Sequence, residues 1–169
     1  GSVLLFGNRD PSMMRDIALP TDSSTSRLLM VWLLNKMGLN PRPVDMGPDI
    51  HAMLERCDGA LLIGDRAIDE ALRNPELVRM DLGQSWFDIT GLPMVFGVFA
   101  AHIDAPDDMV RRAHECLINQ LNMFENDINY RNKLIQSSSE RSGFTFERIE
   151  RYYDEVILRI DNQTKKGLD

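Results

Sequence analysis

The sequence predicts an α/β fold, and three observations support this prediction. Short apolar runs alternate with helical stretches up to about residue 103, which is the pattern of helices layered on a parallel or mixed sheet. The run 59–63 is apolar throughout and ends at Gly64-Asp65, as a buried strand followed by a turn would. After Asp104 the pattern becomes that of helices, so we expect a second, mainly helical region there.

The first region contains short apolar runs bounded by Gly, Pro, Asn or Asp, which predict strands. These strands are residues 2–6, 16–20, 43–46, 59–63, 77–82 and 92–101. Helices are expected between them at residues 28–37, 49–56, 66–73 and, as a single turn, 85–90. Helix 28–37 is apolar on nearly all sides and is therefore expected to lie buried between layers.

The second region is predicted to be mainly helical. A long amphipathic helix is expected over residues 107–135, because apolar residues recur on one face. That face consists of Met109, Val110, Ala113, Leu117, Leu121, Phe124 and Ile128. A break follows at 137–143, then a helix at 146–153, a strand at 155–160, and the start of a helix at 164.

Composition and charge exclude several classes of protein. The 169 residues are 43% hydrophobic and 27% charged, which excludes a disordered or collagen-like chain. A net charge of −7 without a basic patch argues against binding to nucleic acid. The longest uncharged run, 89–102, is too short and too interrupted to span a membrane. Cys57 and Cys116 have no metal-binding or disulfide spacing, and with no visible signal peptide they favour a cytoplasmic protein.

A cluster of hydroxyl side chains precedes the first helix. Ser23, Ser24, Thr25 and Ser26 and their backbone amides lie at a helix N-terminus, where unpaired N–H groups and the helix dipole favour a carboxylate or phosphate. Helix N-termini also attract Ser and Thr simply as caps. The cluster is therefore open to both interpretations, anion binding and capping.

Gly64 and Asp65 follow the clearest strand, at the end where ligands of open α/β sheets bind. Asp65 could equally be the N-cap of the next helix. Trp86 and Phe87 could line a cleft or belong to the core. His51, His102 and His114 lack metal-ligand spacing, and no nucleotide-binding loop or nucleophile elbow occurs. The residues alone thus predict an α/β domain with an anion pocket and no metal site.

Four stretches, taken in their order along the chain, are together typical of one known family. They are Ser2-Val3 followed by Leu5-Phe6, the hydroxyl cluster 21–26 before a Leu-rich helix, the string 62–67 (LIGDRA), and the string 81–96 (DLGQSWFDITGLPMVF). Together they resemble the MqnA family, the chorismate dehydratases of the futalosine route to menaquinone. The resemblance is strong over residues 2–101 and looser over 104–169.

The resemblance implies a type II periplasmic-binding-protein fold, in which two α/β lobes enclose a substrate cleft. Residues 7–93 would form the second lobe. Residues 1–6 and 94–169 would supply the hinge strands and the C-terminal helical part of the first lobe. The chain would then lack about the first third of a family member.

The resemblance also implies a reaction, the elimination of water from chorismate to give 3-[(1-carboxyvinyl)oxy]benzoate without metal or organic cofactor. Ser2, Ser23, Ser24, Thr25, Ser26, Gly64 and Asp65 are the expected binding residues for this dianion. The catalytic base is left unassigned: Asp65 is the only carboxylate of this chain expected near the cleft, and the base could instead lie in the missing part of the protein or be supplied by the substrate itself. Two alternatives share the fold: a non-catalytic binding module for small anions, and the sibling enzyme that forms dihydroxynaphthoate in the same pathway.

Overall fold

The computed structural model describes residues 1–168 of the chain. It contains two compact units. The first consists of residues 1–94 with the C-terminal helix from residue 162, and the second of Val95–Asp161. The predicted lobe boundaries at 7–93 and 94–169 stay a prediction, since compact units within one chain do not define the lobes of a longer protein.

A five-stranded mixed sheet forms the centre of the first unit. Its strands are β1 (Val3–Gly7), β2 (Asp16–Pro20), β3 (Arg42–Met46), β4 (Gly59–Ile63) and β5 (Val78–Asp81). The spatial order is β3-β2-β4-β1-β5, with β2 parallel to β3 and β4, and β1 antiparallel to β4 and β5. The expected α/β class is therefore confirmed, and five of the six strands predicted for the first region are found within two residues of their predicted bounds.

The direction of β1 decides where the chain enters the sheet. Val3 pairs with Ile63 and Gly7 pairs with Gly59. The first residues of the chain consequently lie at the edge where the parallel strands have their carboxyl ends.

Residues 1–168 also form eight α-helices. They are α1 (Ser24–Lys36), α2 (Ile50–Arg56), α3 (Gly64–Arg73), α4 (Leu82–Thr90), α5 (Asp107–Asn126), α6 (Ile128–Ser142), α7 (Phe146–Glu155) and α8 (Asn162–Leu168). No helix among the described residues has the length and apolarity to cross a membrane.

Successive side chains of a strand point to opposite faces of the sheet, so the sheet has two apolar faces. Leu5 and Leu61 pack with buried residues of α1 and with Leu82 of α4. Leu4 and Leu62 pack on the other face, with residues that include Met53 of α2 and Ala67 of α3. The sheet is thus covered by helices on both faces.

Helix α1 differs from the expectation that it would be buried all round. Leu29, Met30, Leu33 and Leu34 are buried, but the Leu28 side chain is 72% exposed and Val31 is exposed as well. The reason is that α1 packs on one face of a sheet, and one sheet face covers one side of a helix. The helix also begins at Ser24, four residues before its apolar run, because Ser23 caps it.

The second unit has its own small core of Phe124, Ile135 and Ile149 on α5, α6 and α7. The Tyr153 ring lies 4.9 Å from the Phe124 ring. One helix over 107–135 was expected, but Asp127 divides it. The Asp127 carboxylate accepts the amides of Asn129 and Tyr130, which starts a new helix there. Of the predicted apolar face, Phe124 alone is fully buried.

Three further expectations were wrong. Residues 92–101 and 155–160 contain no strand: within residues 1–168 neither segment is hydrogen-bonded to the sheet, and a strand requires such a partner. The break expected at 137–143 is not there, since α6 continues through Ser142 and ends at Gly143, whose φ of 78° suits a helix end.

Candidate anion site at the carboxyl edge of the sheet

Strands β2 and β4 are neighbours in the sheet and run parallel, so their carboxyl ends lie side by side. Residues 21–26 follow β2, and Gly64-Asp65 follows β4. The fold thus brings the two sequence-predicted elements of the anion site to one edge. Ligands of open α/β sheets bind at this edge.

Ser23 is the N-cap of α1. Its Oγ accepts the amide of Ser26 at 3.3 Å and lies 3.0 Å from the Ser26 hydroxyl, to which it donates. The capping interpretation therefore holds for Ser23, and Ser26 is engaged with it. Both side chains are half-buried against the loop.

Ser24 and Thr25 differ from their neighbours. They are exposed, and neither hydroxyl has a hydrogen-bond partner in the part of the chain that the structure describes. A helix needs only one side chain as its N-cap, and Ser23 fills that role in α1. The hydroxyls of Ser24 and Thr25 are therefore not needed to start the helix. Their hydroxyls remain available to an external acceptor.

The N-terminus of α3 has no side-chain cap. Helix α3 begins at Gly64, and the residue before it, Ile63, has no polar side chain to accept the first amides. The interpretation of Asp65 as an N-cap was therefore wrong, because Asp65 lies inside the first turn. Asp49 and Asp81 do cap α2 and α4, which leave the same edge of the sheet.

Backbone geometry holds the start of α3 against β1. The Gly64 amide donates to the Ser2 carbonyl at 2.7 Å. Gly64 has a φ of +61°, in the left-handed region that glycine tolerates best, and the chain needs this turn to leave β4 directly into α3. Ser2, the remaining expected site residue, is thus at the same edge and half-buried.

Two charged residues at this edge were missed by the sequence analysis. Arg66 Nη1 lies 2.8 Å from Asp22 Oδ2, which links the first turn of α3 to the loop before α1. Arg66 follows Asp65 and Asp22 precedes Ser23, and both of those neighbours were predicted site residues. This adjacency could have pointed to the two charged residues. Their pairing could not be predicted, because it depends on β2 and β4 being neighbours in the sheet.

The other candidates lie elsewhere. Trp86 packs 5.0 Å from Trp32 beside the core, which favours the core interpretation, while Phe87 is 50% exposed. Cys57 is buried, and that burial raises the pKa of its thiol, whereas Cys116 is exposed. Within residues 1–168 no three His, Cys, Asp or Glu side chains are grouped so that they could hold a metal ion.

The chain is similar to a known protein family. A family model described as "Menaquinone biosynthesis" matches residues 1–169. A curated protein from Thermus thermophilus, named chorismate dehydratase, is 35% identical over 120 residues, which are 62% of this chain and 44% of that protein. The chain therefore spans less than half the length of this relative.

Among solved structures, the crystal structure of protein AF1704 from Archaeoglobus fulgidus is similar. The TM-score is 0.66 at 21% sequence identity, and the match covers 99% of this chain and 64% of that one. At this identity the likeness concerns the fold alone.

Proposed function

Because the chain belongs to the menaquinone biosynthesis family, we propose that the complete protein is a chorismate dehydratase. It would eliminate water from chorismate to give 3-[(1-carboxyvinyl)oxy]benzoate. The sequence similarity to a protein of that name supports the proposal. The coarser conclusion, membership of the family, does not depend on it.

One observation carries the proposal: the uncapped α3 and the start of α1, which bears the unpaired hydroxyls of Ser24 and Thr25, follow two neighbouring parallel strands and so lie at the same edge of the sheet. Unpaired amides and hydroxyl donors at a helix N-terminus suit a carboxylate. Chorismate is a dianion, and a chain of net charge −7 cannot attract it by its overall field. Local donors must therefore do so, and this edge of the sheet has them.

The chemistry requires three things of the site. A proton must leave from the ring carbon that bears the ether oxygen, the hydroxide departing from the neighbouring carbon must be protonated, and the charge that develops on the conjugated ring carboxylate must be stabilised. Ser24, Thr25 and the amides of Asp65 and Arg66 would supply the stabilisation, whereas the Gly64 amide already donates to the Ser2 carbonyl. Asp65 is the candidate base on this chain, because its carboxylate is exposed at this edge whereas Asp22 is engaged by Arg66.

We further propose that the complete protein has two lobes of the type II periplasmic-binding-protein kind. Residues 7–93 would be the second lobe, and residues 1–6 and 94–169 would belong to the hinge and the first lobe. Two observations support this. Strand β1 enters the sheet at the edge that carries the site. The apolar run 92–101 includes Phe96, Val98 and Phe99, which are exposed and lack a partner strand among residues 1–168.

The test is an assay of the complete purified protein with chorismate, followed by chromatography of the products. We expect the enol-ether benzoate to form in proportion to enzyme and time. Binding of chorismate without turnover would favour the solute-binding alternative instead. Turnover of a cyclic futalosine derivative, with none of chorismate, would favour the sibling enzyme.

A further inference from the structure

Arg66 is the one cation among the residues that form the candidate site, 21–26 and 64–67. Its side chain lies in the first turn of α3, and helical side chains tilt toward the N-terminus of their helix. The guanidinium links the first turn of α3 to the loop before α1. There it meets Asp22, which precedes the cap of α1.

The bond between these two residues leaves most of the guanidinium unused. Within residues 1–168, Arg66 makes one hydrogen bond, from Nη1 to Asp22 Oδ2 at 2.8 Å. A guanidinium has several further N–H donors in a planar fork that matches a carboxylate. Arg15 shows the contrast, because its side chain donates to both oxygens of Asp58.

The pair is also poorly placed to serve stability. The side chains of Arg66 and Asp22 are 56% and 42% exposed. Exposed ion pairs contribute little to the free energy of unfolding. An arginine that is held loosely, with spare donors, between two elements of an anion site is suited to binding a ligand.

We propose that Arg66 is a substrate-binding residue: its unused N–H donors take one carboxylate of the dianionic substrate, and Asp22 competes with that carboxylate for the guanidinium. This inference rests on the proposed function and adds a residue to that site. It also explains how a chain with excess negative charge provides a positive group for chorismate, since Asp22 and Asp65 alone would repel the ligand.

The test compares four variants of the complete protein by equilibrium binding of chorismate and by thermal unfolding. Arg66→Ala should weaken the Kd by about tenfold or more, the effect of losing a hydrogen bond to a charged group. Arg66→Lys keeps the charge without the fork and should fall between Arg66→Ala and the parent. Asp22→Asn removes a competing negative charge and should tighten binding. The matched control is Arg73→Ala, on the same helix, which breaks the exposed pair of Arg73 with Asp69.

Two results would overturn the inference alone. If Arg66→Ala binds chorismate as well as Arg73→Ala does, Arg66 does not contact the substrate. If Asp22→Asn weakens binding as much as Arg66→Ala, the pair acts as a tether between the loops and not as a ligand. A parent protein that does not bind chorismate overturns the proposed function, and this inference with it.

Discussion

Arg15 and Asp58 form a two-pronged ion pair at the opposite edge of the sheet from the candidate site. Arg15 Nε lies 2.8 Å from one carboxylate oxygen and Nη2 lies 3.1 Å from the other. The Arg15 amide donates to the same carboxylate at 3.0 Å. The Asp58 amide in turn donates to Asp16. These bonds join the segments that lead into β2 and β4, and so help to hold the strands whose far ends form the site.

This pair predicts how stability depends on pH. The hydrogen bonds from Arg15 hold the pKa of Asp58 well below its usual range. A group whose pKa is lower in the folded state stabilises the fold above its unfolded pKa, and this contribution is lost as the pH falls below about 4. In Arg15→Gln the melting temperature should therefore be lower at neutral pH and should fall less between pH 5 and pH 2 than in the parent.

Circular dichroism melts across that pH range check this prediction. Arg73→Gln is the matched control, because it removes an exposed pair within one helix. An acid dependence of Arg15→Gln identical to that of the parent would show that Asp58 is not the carboxylate responsible.

Helix α1 predicts a large difference between two leucines five residues apart. Leu33 is fully buried and Leu28 is 72% exposed. Replacing a buried leucine by alanine removes its transfer free energy and leaves a cavity, so Leu33→Ala should cost about 2–5 kcal/mol. Leu28→Ala should change stability by less than about 0.5 kcal/mol. Urea unfolding measures both, and equal losses would contradict the packing of α1 on one sheet face.

Strands β1, β2 and β4 were predictable because each contains a short apolar run with a Gly, Pro, Asn or Asp at its boundary. The run 92–101 has the same appearance, yet it is not a strand here. Sequence reports the propensity of a segment, whereas a strand also requires a neighbour with free backbone groups. The prediction that Leu28 would be buried was wrong for a related reason, because an apolar pattern does not show how many sides of a helix will be covered by other elements.

The sequence predicted which loops form the candidate site, but not the roles and pairings of the side chains within them. Segments after parallel strands meet at one edge, so the loop 21–26 and Gly64-Asp65 were expected together. The sequence could not distinguish Ser23 from Ser24 as the cap. The two side chains are identical, and which of them caps the helix depends on the residue at which α1 begins. The Asp22–Arg66 pair spans 44 positions and required the order in which β2 and β4 lie side by side.

The isolated 169-residue chain should form no enol-ether product from chorismate and should self-associate. Phe99 and Ile103 are 87% and 92% exposed, and Phe96 and Val98 are also exposed. Contiguous exposed apolar residues promote association. Light scattering after gel filtration should show species larger than a monomer. Phe99→Ser with Ile103→Ser should shift the distribution toward monomer, and a parent chain that is a clean monomer would contradict the prediction.

The hydroxyl loop gives the sharpest separation between binding and capping, because the structure assigns the cap to Ser23 alone. Ser24→Ala with Thr25→Ala removes two unpaired donors and leaves the Ser23–Ser26 bonds intact. In the complete protein this double variant should weaken chorismate binding or kcat/KM by more than about tenfold, since a hydrogen bond to a charged group contributes about 1.5–3 kcal/mol. Its melting temperature should match that of the parent. Ser23→Ala is the control, and it should lower stability by about 0.5–2 kcal/mol, as loss of a cap does. If the double variant, corrected for folded protein, stays within about twofold of the parent in catalytic efficiency, then these hydroxyls do not bind the substrate and its carboxylate lies elsewhere.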